Sequence, residues 1–458
     1  MSLIASISGI RGTLGQNIGN DLTEADVRLF VGSFTKLVKN KNGKTKVVVG
    51  RDARESGKWI KKLVLSVLIE NGIDVVDLDL ATTPTIEMAV TREKANGGII
   101  ISASHNPIEW NGLKFLNAKG EIVNEKEGKQ VLDGYKVPKK LMTSKKKGKI
   151  VVRKNPEDFH IKEILKLDLV DQKSIKNKNL VVVVDGINSV GGVVIPKLLK
   201  KLGVKKVIEI NCKPTGKFAH TPEPLPQNLI MLGSAVKKYG AHLGIAVDPD
   251  VDRLVFVDEM GECFGEEYTL VAIADHVLTF KKGNIVSNLS SSRALRDITL
   301  MHGGKYSASP VGLMHVIVEM KKTKAIFGGE GNGGVVYPKL HYGRDALVGV
   351  SLFLSHLARM NMCVSELRSA YPRYEMAKEK IELSNGVNAD KILEKIAKSK
   401  LSGVIDKRDG VKVDFTDSWV HLRKSNTEPI IRIYTEASTK EGATNLALEW
   451  KQKINSLL

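Results

Sequence analysis

Asp248, Asp250 and Asp252 stand at alternate positions and are followed at once by Arg253. In an extended segment a period of two aims all three carboxylates to one side, and like charges held that close need a counterion. Oxygen-only donors suit a hard divalent cation, and so small a set, with positions left for phosphate oxygen, fits magnesium better than a calcium cage. An EF-hand loop is the competing motif. Glu259 falls at its twelfth position, but Arg253 occupies the sixth, where that loop needs glycine, and β-like runs replace its flanking helices. One magnesium ion on Asp248, Asp250 and Asp252 is therefore expected, against the alternative of three exposed acids in a turn.

Three further loops carry reactive groups. In Gly97 to Pro107 a hydrophobic strand runs into Ser102-Ala103-Ser104-His105-Asn106-Pro107, and loops at strand ends are where α/β folds place chemistry. Ser104 beside His105 is not a hydrolase triad signal, because neighbours in an extended chain point apart. Lys114 adds a cation able to reach the same turn, for which a solvated change of direction at Asn106-Pro107 is the alternative. Gly328 to Gly334 sets Glu330 and Asn332 among glycines, a backbone that a ligand can approach closely. Those two side chains suit sugar hydroxyls, and a plain glycine-rich hairpin is the alternative. In Arg423-Lys424-Ser425-Asn426-Thr427-Glu428-Pro429 a guanidinium joins hydroxyl and amide donors in one short turn, the chemistry of phosphate capture. Arg432 is either a second clamp or a paired surface charge, and the whole turn could equally be a polar hairpin tip.

The elements that hold these loops are legible in outline. Lys46-Val47-Val48-Val49, then Trp59 to Asn71 at helical spacing, then Val75-Val76 give a βαβ rhythm. It resumes after a lysine-rich break from Val137 to Lys149, with a strand at Leu180 to Val184 and a helix at Ile195 to Leu202. Leu243 to Val247 and Leu254 to Val257 flank the acidic turn, and Ile285 to Leu289 and Ala325-Ile326-Phe327 are strands of a third unit. From about Pro372 the pattern becomes α+β: a helix at Asp390 to Lys400, strands at Val411 to Phe415 and Trp419 to Leu422, and a closing helix at Lys440 to Leu457. The expected fold class is thus α/β, three similar mixed-sheet α/β domains (1–145, 150–256 and 257–370) followed by a smaller α+β domain (371–458).

The 70 Lys+Arg and 51 Asp+Glu leave a net charge of +19 on 458 residues, with 42% hydrophobic and 26% charged residues, proportions that exclude disorder and fibre. Aromatics are only 5% and the lysines are dispersed apart from Lys145-Lys146-Lys147, so a specific nucleic-acid function is not expected. Three scattered cysteines, Cys212, Cys263 and Cys363, argue against a disulfide framework or structural zinc and for a reducing, cytoplasmic setting. Met1 to Gly12 lacks the build of a secretory signal, and Ala346 to Ala358, the most apolar window, reads as a buried helix rather than a membrane span.

Taken together, the four loops, in order, resemble those of the α-D-phosphohexomutase family, and Ser8-Gly9-Ile10-Arg11-Gly12 is similar to that family's amino-terminal Gly-Ile-Arg-Gly segment, so the resemblance spans nearly the whole chain. It implies four domains around a central cleft and an enzyme that interconverts hexose 6-phosphate and hexose 1-phosphate through a phosphoserine and a hexose 1,6-bisphosphate, the latter also the activator. By resemblance Ser104 carries the phosphate, and magnesium lies between its oxygen and Asp248, Asp250 and Asp252. Arg11, His105, Lys114 and Arg253 surround that phosphate. Glu330 and Asn332 hold sugar hydroxyls, and Arg423, Ser425, Asn426 and Thr427, with Arg432, hold the phosphate that is not transferred. A hinge is expected near Ala370 to Arg373, and the protein is expected to be a monomer or homodimer. Two departures stand out. Many relatives read Glu-X-Ser-Gly-His in the sugar loop, whereas Gly334 stands here in place of the histidine, leaving Lys114, His341 and Lys339 as candidate substitutes. Ser309-Pro310-Val311-Gly312-Leu313 lacks a polar residue common near that glycine. The Asn-bearing sugar loop resembles that of family members that handle amino sugars, which implies glucosamine phosphate, with mannose and glucose phosphates as the alternative. A phosphatase passing the phosphate of Ser104 to water is the rival outcome at the same site.

Overall fold

The computed structural model describes residues 3–7, 9–17, 19–39, 43–136, 144–384, 387–425 and 429–458; Asn426 and Thr427, two of the expected phosphate-loop residues, lie outside them. Two compact units result, Met1–Thr269 with Asn332–Ser365, and Leu270–Gly331 with Glu366–Leu458.

The first unit holds two sheets. One has seven strands in the order Ile4–Ser6, Gly9–Thr13, Trp110–Leu116, Gly97–Ile101, Lys46–Arg51, Asp74–Leu80, Ile150–Val152. Lys46–Arg51 runs parallel to both of its neighbours, while Trp110–Leu116 runs antiparallel to both of its own. The apolar runs Val47-Val48-Val49 and Ile99-Ile100-Ile101 have no polar alternation because both faces are covered. Val47, Val49, Ile99 and Ile101 lie with Phe30, Phe34, Ile60 and Val64 from the helices Glu24–Val38 and Gly57–Glu70. Val48 and Ile100 lie on the other side with Ile86, Ala89 and Val90 from the helix Thr83–Arg92.

The other sheet orders Leu254–Val257, Leu243–Val247, Val181–Asp185 and Lys206–Ile210. Its last three strands are parallel, and Leu243–Val247 closes an antiparallel hairpin with Leu254–Val257, pairing Val247 with Leu254. That hairpin presents residues 248–253 as its turn. The helix Ala346–Met360 is buried at every position from Ala346 to Leu357, as its apolar sequence requires. Among the described residues no helix is long and apolar enough to cross a membrane.

In the second unit Asn284–Asn288 runs parallel to Lys305–Ser309 and Phe327–Glu330. The strand expected at 325–327 therefore begins at Phe327 and continues into the glycines. Pairing with Val286 demands it: a Cβ on Gly328 would stand 2.6 Å from the Val286 carbonyl oxygen. The carboxyl-terminal domain is a five-stranded antiparallel sheet in the order Glu375–Glu382, Ile430–Ala437, Trp419–Lys424, Val411–Asp414, Val404–Asp406. Its apolar face, Val411, Val413, Val420, Leu422, Ile431 and Ile433, is covered by Ile392 and Ile396 of the helix Ala389–Lys398 and by Ala447, Trp450 and Ile454 of Lys440–Asn455.

Candidate active site

The acidic turn does not bring its carboxylates together by strand alternation. Residues 248–253 form a tight turn with Val251 at φ 63°, so the three side chains converge because the chain doubles back. Asp248 organises that turn: Oδ1 accepts from the N–H groups of Asp252 at 3.0 Å and Arg253 at 3.1 Å. Its other oxygen accepts from Ser104 Oγ at 2.8 Å, so residues far apart in sequence meet at one carboxylate. All three aspartates are buried and offer ligand oxygens within 4.8 Å of one another. Asp250 Oδ1 and Asp252 Oδ1 are buried and have no hydrogen-bond partner among the described residues. Buried anionic oxygens left without partners are costly, and an oxygen-only set of this kind fits a hard divalent cation.

Cations surround the turn. Lys114 Nζ lies 2.7 Å from Asp250 Oδ2 and 3.5 Å from Asp252 Oδ2. Arg344 Nη2 donates to Asp252 Oδ2 at 2.6 Å, and Thr83 Oγ1 donates to Asp250 Oδ2 at 2.6 Å. Burial, then Asp252 and Asp250, push the Asp248 carboxyl well above its ordinary range. Asp252 is equally buried, but Arg344, Lys114 and Arg253 outweigh that burial and hold it below the ordinary range. Burial would depress Lys114, yet Asp250 and Asp252 overcome it and raise the ammonium above its ordinary value.

Ser104 sits at φ 50°, a left-handed conformation in a residue with a side chain. That conformation overturns the expectation that an extended chain separates Ser104 from His105: Ser104 Oγ lies 3.4 Å from His105 Nδ1. The turn is moored from below. Ser102 Oγ accepts from the Ser104 N–H at 2.9 Å and donates to Asp52 Oδ2 at 2.7 Å. Asp52 pairs with Arg54, whose Nη2 donates to the carbonyls of Ser104, at 2.8 Å, and Asn106. Arg11 Nη1 reaches Asn106 Oδ1 at 3.3 Å, and the strand register sets Gly9 opposite Lys114 and Arg11 opposite Gly112, which puts both cations on one face of the sheet. Arg253 Nη1 is held by Glu223 at 2.9 Å, with Nη2 3.5 Å from His105 Nε2. Burial, with Arg253 and Arg11 adding to it, depresses His105 to about 2, so its ring is neutral.

Ser104, His105, Lys114, Arg11, Arg253 and the three aspartates thus share one locus in the first unit. Asn332 also belongs to that unit, where its Oδ1 accepts from the Gly334 N–H at 3.2 Å. Of the three substitutes for the missing histidine, Lys114 contacts the aspartate turn, His341 Nε2 bonds Asp345 at 3.2 Å, and exposed Lys339 pairs with Asp168 at 3.3 Å. Asp52, Arg54, Ser102, Thr83, Glu223 and Arg344 escaped the sequence reading. The charged run Arg51-Asp52-Ala53-Arg54 at the carboxyl end of a strand was the available signal for two of them.

The second unit carries Glu330, Arg423, Ser425 and Arg432. Buried Glu330 accepts from Asn288 Nδ2 at 3.2 Å and from the Gly312 N–H at 3.1 Å. The neighbouring Val311 N–H donates to Asp409 at 2.9 Å, and Asp409 lies 3.3 Å from Arg423 Nε. One loop therefore ties Glu330 to Arg423. Arg423 faces Arg432 directly across the hairpin, where the Ser425 N–H donates to the Ile430 carbonyl at 3.0 Å. Like charges opposed across strands are unfavourable unless an anion is near.

Family models cover nearly the whole chain. Residues 4–141, 158–261 and 265–374 match the phosphoglucomutase/phosphomannomutase alpha/beta/alpha domains I, II and III, and 375–452 match the C-terminal domain. A Thermococcus kodakarensis phosphoglucomutase/phosphomannomutase is 35% identical over 458 residues, covering 94% of this chain and 95% of that protein. The chain belongs to the phosphohexomutase family. Members of this family are isomerases that move phosphate within a hexose phosphate, and the architecture here is theirs: three mixed-sheet α/β domains followed by one on an antiparallel sheet. The phosphoglucosamine/phosphogalactosamine mutase of Sulfurisphaera tokodaii is 32% identical over 465 residues, covering 99% of both chains. Among solved structures, a phosphoglucomutase/phosphomannomutase family protein from Burkholderia thailandensis superposes with a TM-score of 0.85 at 26% identity, covering 99% of this chain and 98% of that one.

Proposed function

We propose that this phosphohexomutase interconverts glucosamine 6-phosphate and glucosamine 1-phosphate through phosphorylated Ser104 and the 1,6-bisphosphate, with mannose and glucose phosphates as the alternative substrates. The observation that carries the reading is the 2.8 Å hydrogen bond from Ser104 Oγ to Asp248, which joins a nucleophile-bearing turn to a buried set of cation-ready oxygens. Glucosamine is favoured by Asn332 in the sugar loop and by the amino-sugar mutase among the relatives.

In this reading Ser104 Oγ gives its phosphoryl group to a sugar hydroxyl and later takes the other phosphate back, which lets one site serve both ends of the sugar. Phosphoryl transfer needs positioning and charge stabilisation more than covalent help. Arg54 and Ser102 fix the serine turn, while Lys114, Arg11 and Arg253 set positive charge around the transferring group. His105 Nδ1, 3.4 Å from Ser104 Oγ, adds a hydrogen-bonding group on the same side. Asp248, Asp250 and Asp252 would hold magnesium, which when bound supplies Lewis-acid stabilisation of phosphoryl oxygens. Glu330 and Asn332 are assigned to sugar hydroxyls, and Arg423, Ser425 and Arg432, with Asn426 and Thr427, to the distal phosphate. We assign the serine turn, metal turn, sugar loop and phosphate loop to domains 1–145, 150–256, 257–370 and 371–458, in a cytoplasmic enzyme.

The test supplies magnesium and a bisphosphate primer and compares kcat/KM for glucosamine, mannose, glucose and N-acetylglucosamine phosphates. Glucosamine phosphate should lead, and Ser104→Ala should abolish turnover with an unchanged circular dichroism spectrum. Full turnover in that variant overturns the phosphoserine, and release of inorganic phosphate matching sugar-phosphate loss would make the enzyme a phosphatase.

A further inference from the structure

We propose that Arg344 is a positioning residue of the phosphoryl-transfer site, and that Gly334 is there to admit it. The inference rests on the mutase reading and adds to it a pair of residues with no role so far.

Arg344 springs from a rigid support. The next residue, Asp345, caps the helix Ala346–Met360, its Oδ1 accepting from the N–H groups of Leu347 at 2.8 Å and Val348 at 3.2 Å. Its Oδ2 is held by His160 Nε2 at 2.8 Å and His341 Nε2 at 3.2 Å. His160 is in turn fixed through Nδ1, 2.9 Å from Thr85 Oγ1. Carboxylate and imidazoles are buried or nearly so, and the backbone at 344–345 has little freedom. From this base the arginine stem crosses Gly334. A Cβ built on Gly334 would stand 2.3 Å from Arg344 Cδ and 3.1 Å from Cγ, far inside contact distance. The stem cannot simply swing away, because its far end is fastened to Asp252 Oδ2 at 2.6 Å in a largely buried ion pair.

The consequence is an oriented carboxylate. Arg344 occupies Asp252 Oδ2, which turns away Asp252 Oδ1, a buried oxygen that, like Asp250 Oδ1, has no hydrogen-bond partner among the described residues. A planar guanidinium is suited to this task, since it fixes the plane of the carboxylate and cannot lose its charge. Gly334 and Arg344 therefore act as one device: a residue with a side chain at 334 and an arginine at 344 compete for the same space.

The experiment uses the full-length protein with Arg344→Gln, Arg344→Lys, Arg344→Gly, Gly334→Ala and the Gly334→Ala/Arg344→Gln double variant. Arg344→Gln should lower kcat about 100-fold with KM changed by less than about threefold, and should weaken magnesium binding by about tenfold in calorimetric titration of the phosphate-free protein. Arg344→Lys should recover only part of either loss. Free guanidinium ion should restore turnover to Arg344→Gly saturably, which a merely structural defect would not allow. Gly334→Ala should resemble Arg344→Gln, and the double variant should be no worse than either single one. Wild-type kcat and magnesium affinity in Arg344→Gln, or additive losses in the double variant, overturn the proposal. Absence of wild-type turnover on all four sugar phosphates would instead remove the mutase reading, and the magnesium titrations would still decide this one.

Discussion

Arg54→Met removes one guanidinium while keeping the apolar stem, and the structure gives its cost. Arg54 and Asp52 are both fully buried, and Arg54 also lies over the Phe218 ring at 4.8 Å. Without its partner Asp52 becomes a buried charge short of compensation, a change that typically costs about 3–5 kcal/mol. Asp52 keeps the Ser102 hydroxyl and the Arg54 N–H, which favours the lower end of that range. The carbonyls of Ser104 and Asn106 each lose a charged donor, adding about 1 kcal/mol or more if water does not replace it. The expected total is about 4 kcal/mol, or a fall in Tm of roughly 10 °C. Because the lost bonds hold the serine turn, kcat should fall by roughly 100-fold, the effect of an ångström-scale misplacement. Thermal unfolding and steady-state kinetics read both quantities, and Asp52→Asn in the same chain should recover part of the stability. A loss below about 1 kcal/mol with kcat unchanged would refute the mooring argument.

Three further expectations concern other parts of the chain. His105 is neutral in the folded protein, with a pKa of about 2, but binds a proton near pH 6.5 when unfolded; its stabilising contribution is therefore present above about pH 6.5 and is lost as pH falls towards 2. His105→Asn in phosphate-free protein should flatten the acid limb of stability measured by denaturant titration between about pH 6.5 and 4, and an unchanged limb would contradict the assignment. Burial pushes the Cys212 and Cys263 thiols up to about 12, so neither should react with a disulfide reagent at neutral pH until the protein unfolds, and peptide mass mapping of rapid native labelling at either site would overturn this. Gly333 has φ 81°, and a Cβ there would stand 2.3 Å from the Leu254 carbonyl oxygen at the foot of the aspartate turn. Gly333→Ala should lose about 1–3 kcal/mol in thermal unfolding, and unaltered stability would show that the loop relaxes freely.

The sequence was readable where one local rule decided the outcome. Leu243 to Val247 and Leu254 to Val257 emerged with the expected bounds because uninterrupted apolar runs on both sides of an acidic turn admit few other pairings. The strand near 326 was misplaced because its pairing runs into glycines, which carry no hydrophobic signal. The aspartates were rightly grouped, but by the wrong geometry, since nothing local announces the left-handed Val251. Ser104 and His105 were judged apart for the same reason. Arg344 was illegible beside the aspartate turn, because an arginine before a helix looks like a surface charge until the fold shows which buried carboxylate it meets, whereas the charged run after its strand was a signal for Arg54 that went unread.

The left-handed backbone at Ser104 alters how variants at that position compare. Glycine would remove the hydroxyl and also relax a conformation that costs other residues about 1–2 kcal/mol, so it changes two things together. Alanine deletes the oxygen and leaves the tension, which makes it the cleaner control. Asparagine and aspartate tolerate that quadrant better than most side chains, so an acidic mimic of the proposed phosphoserine can be installed without first rebuilding the turn.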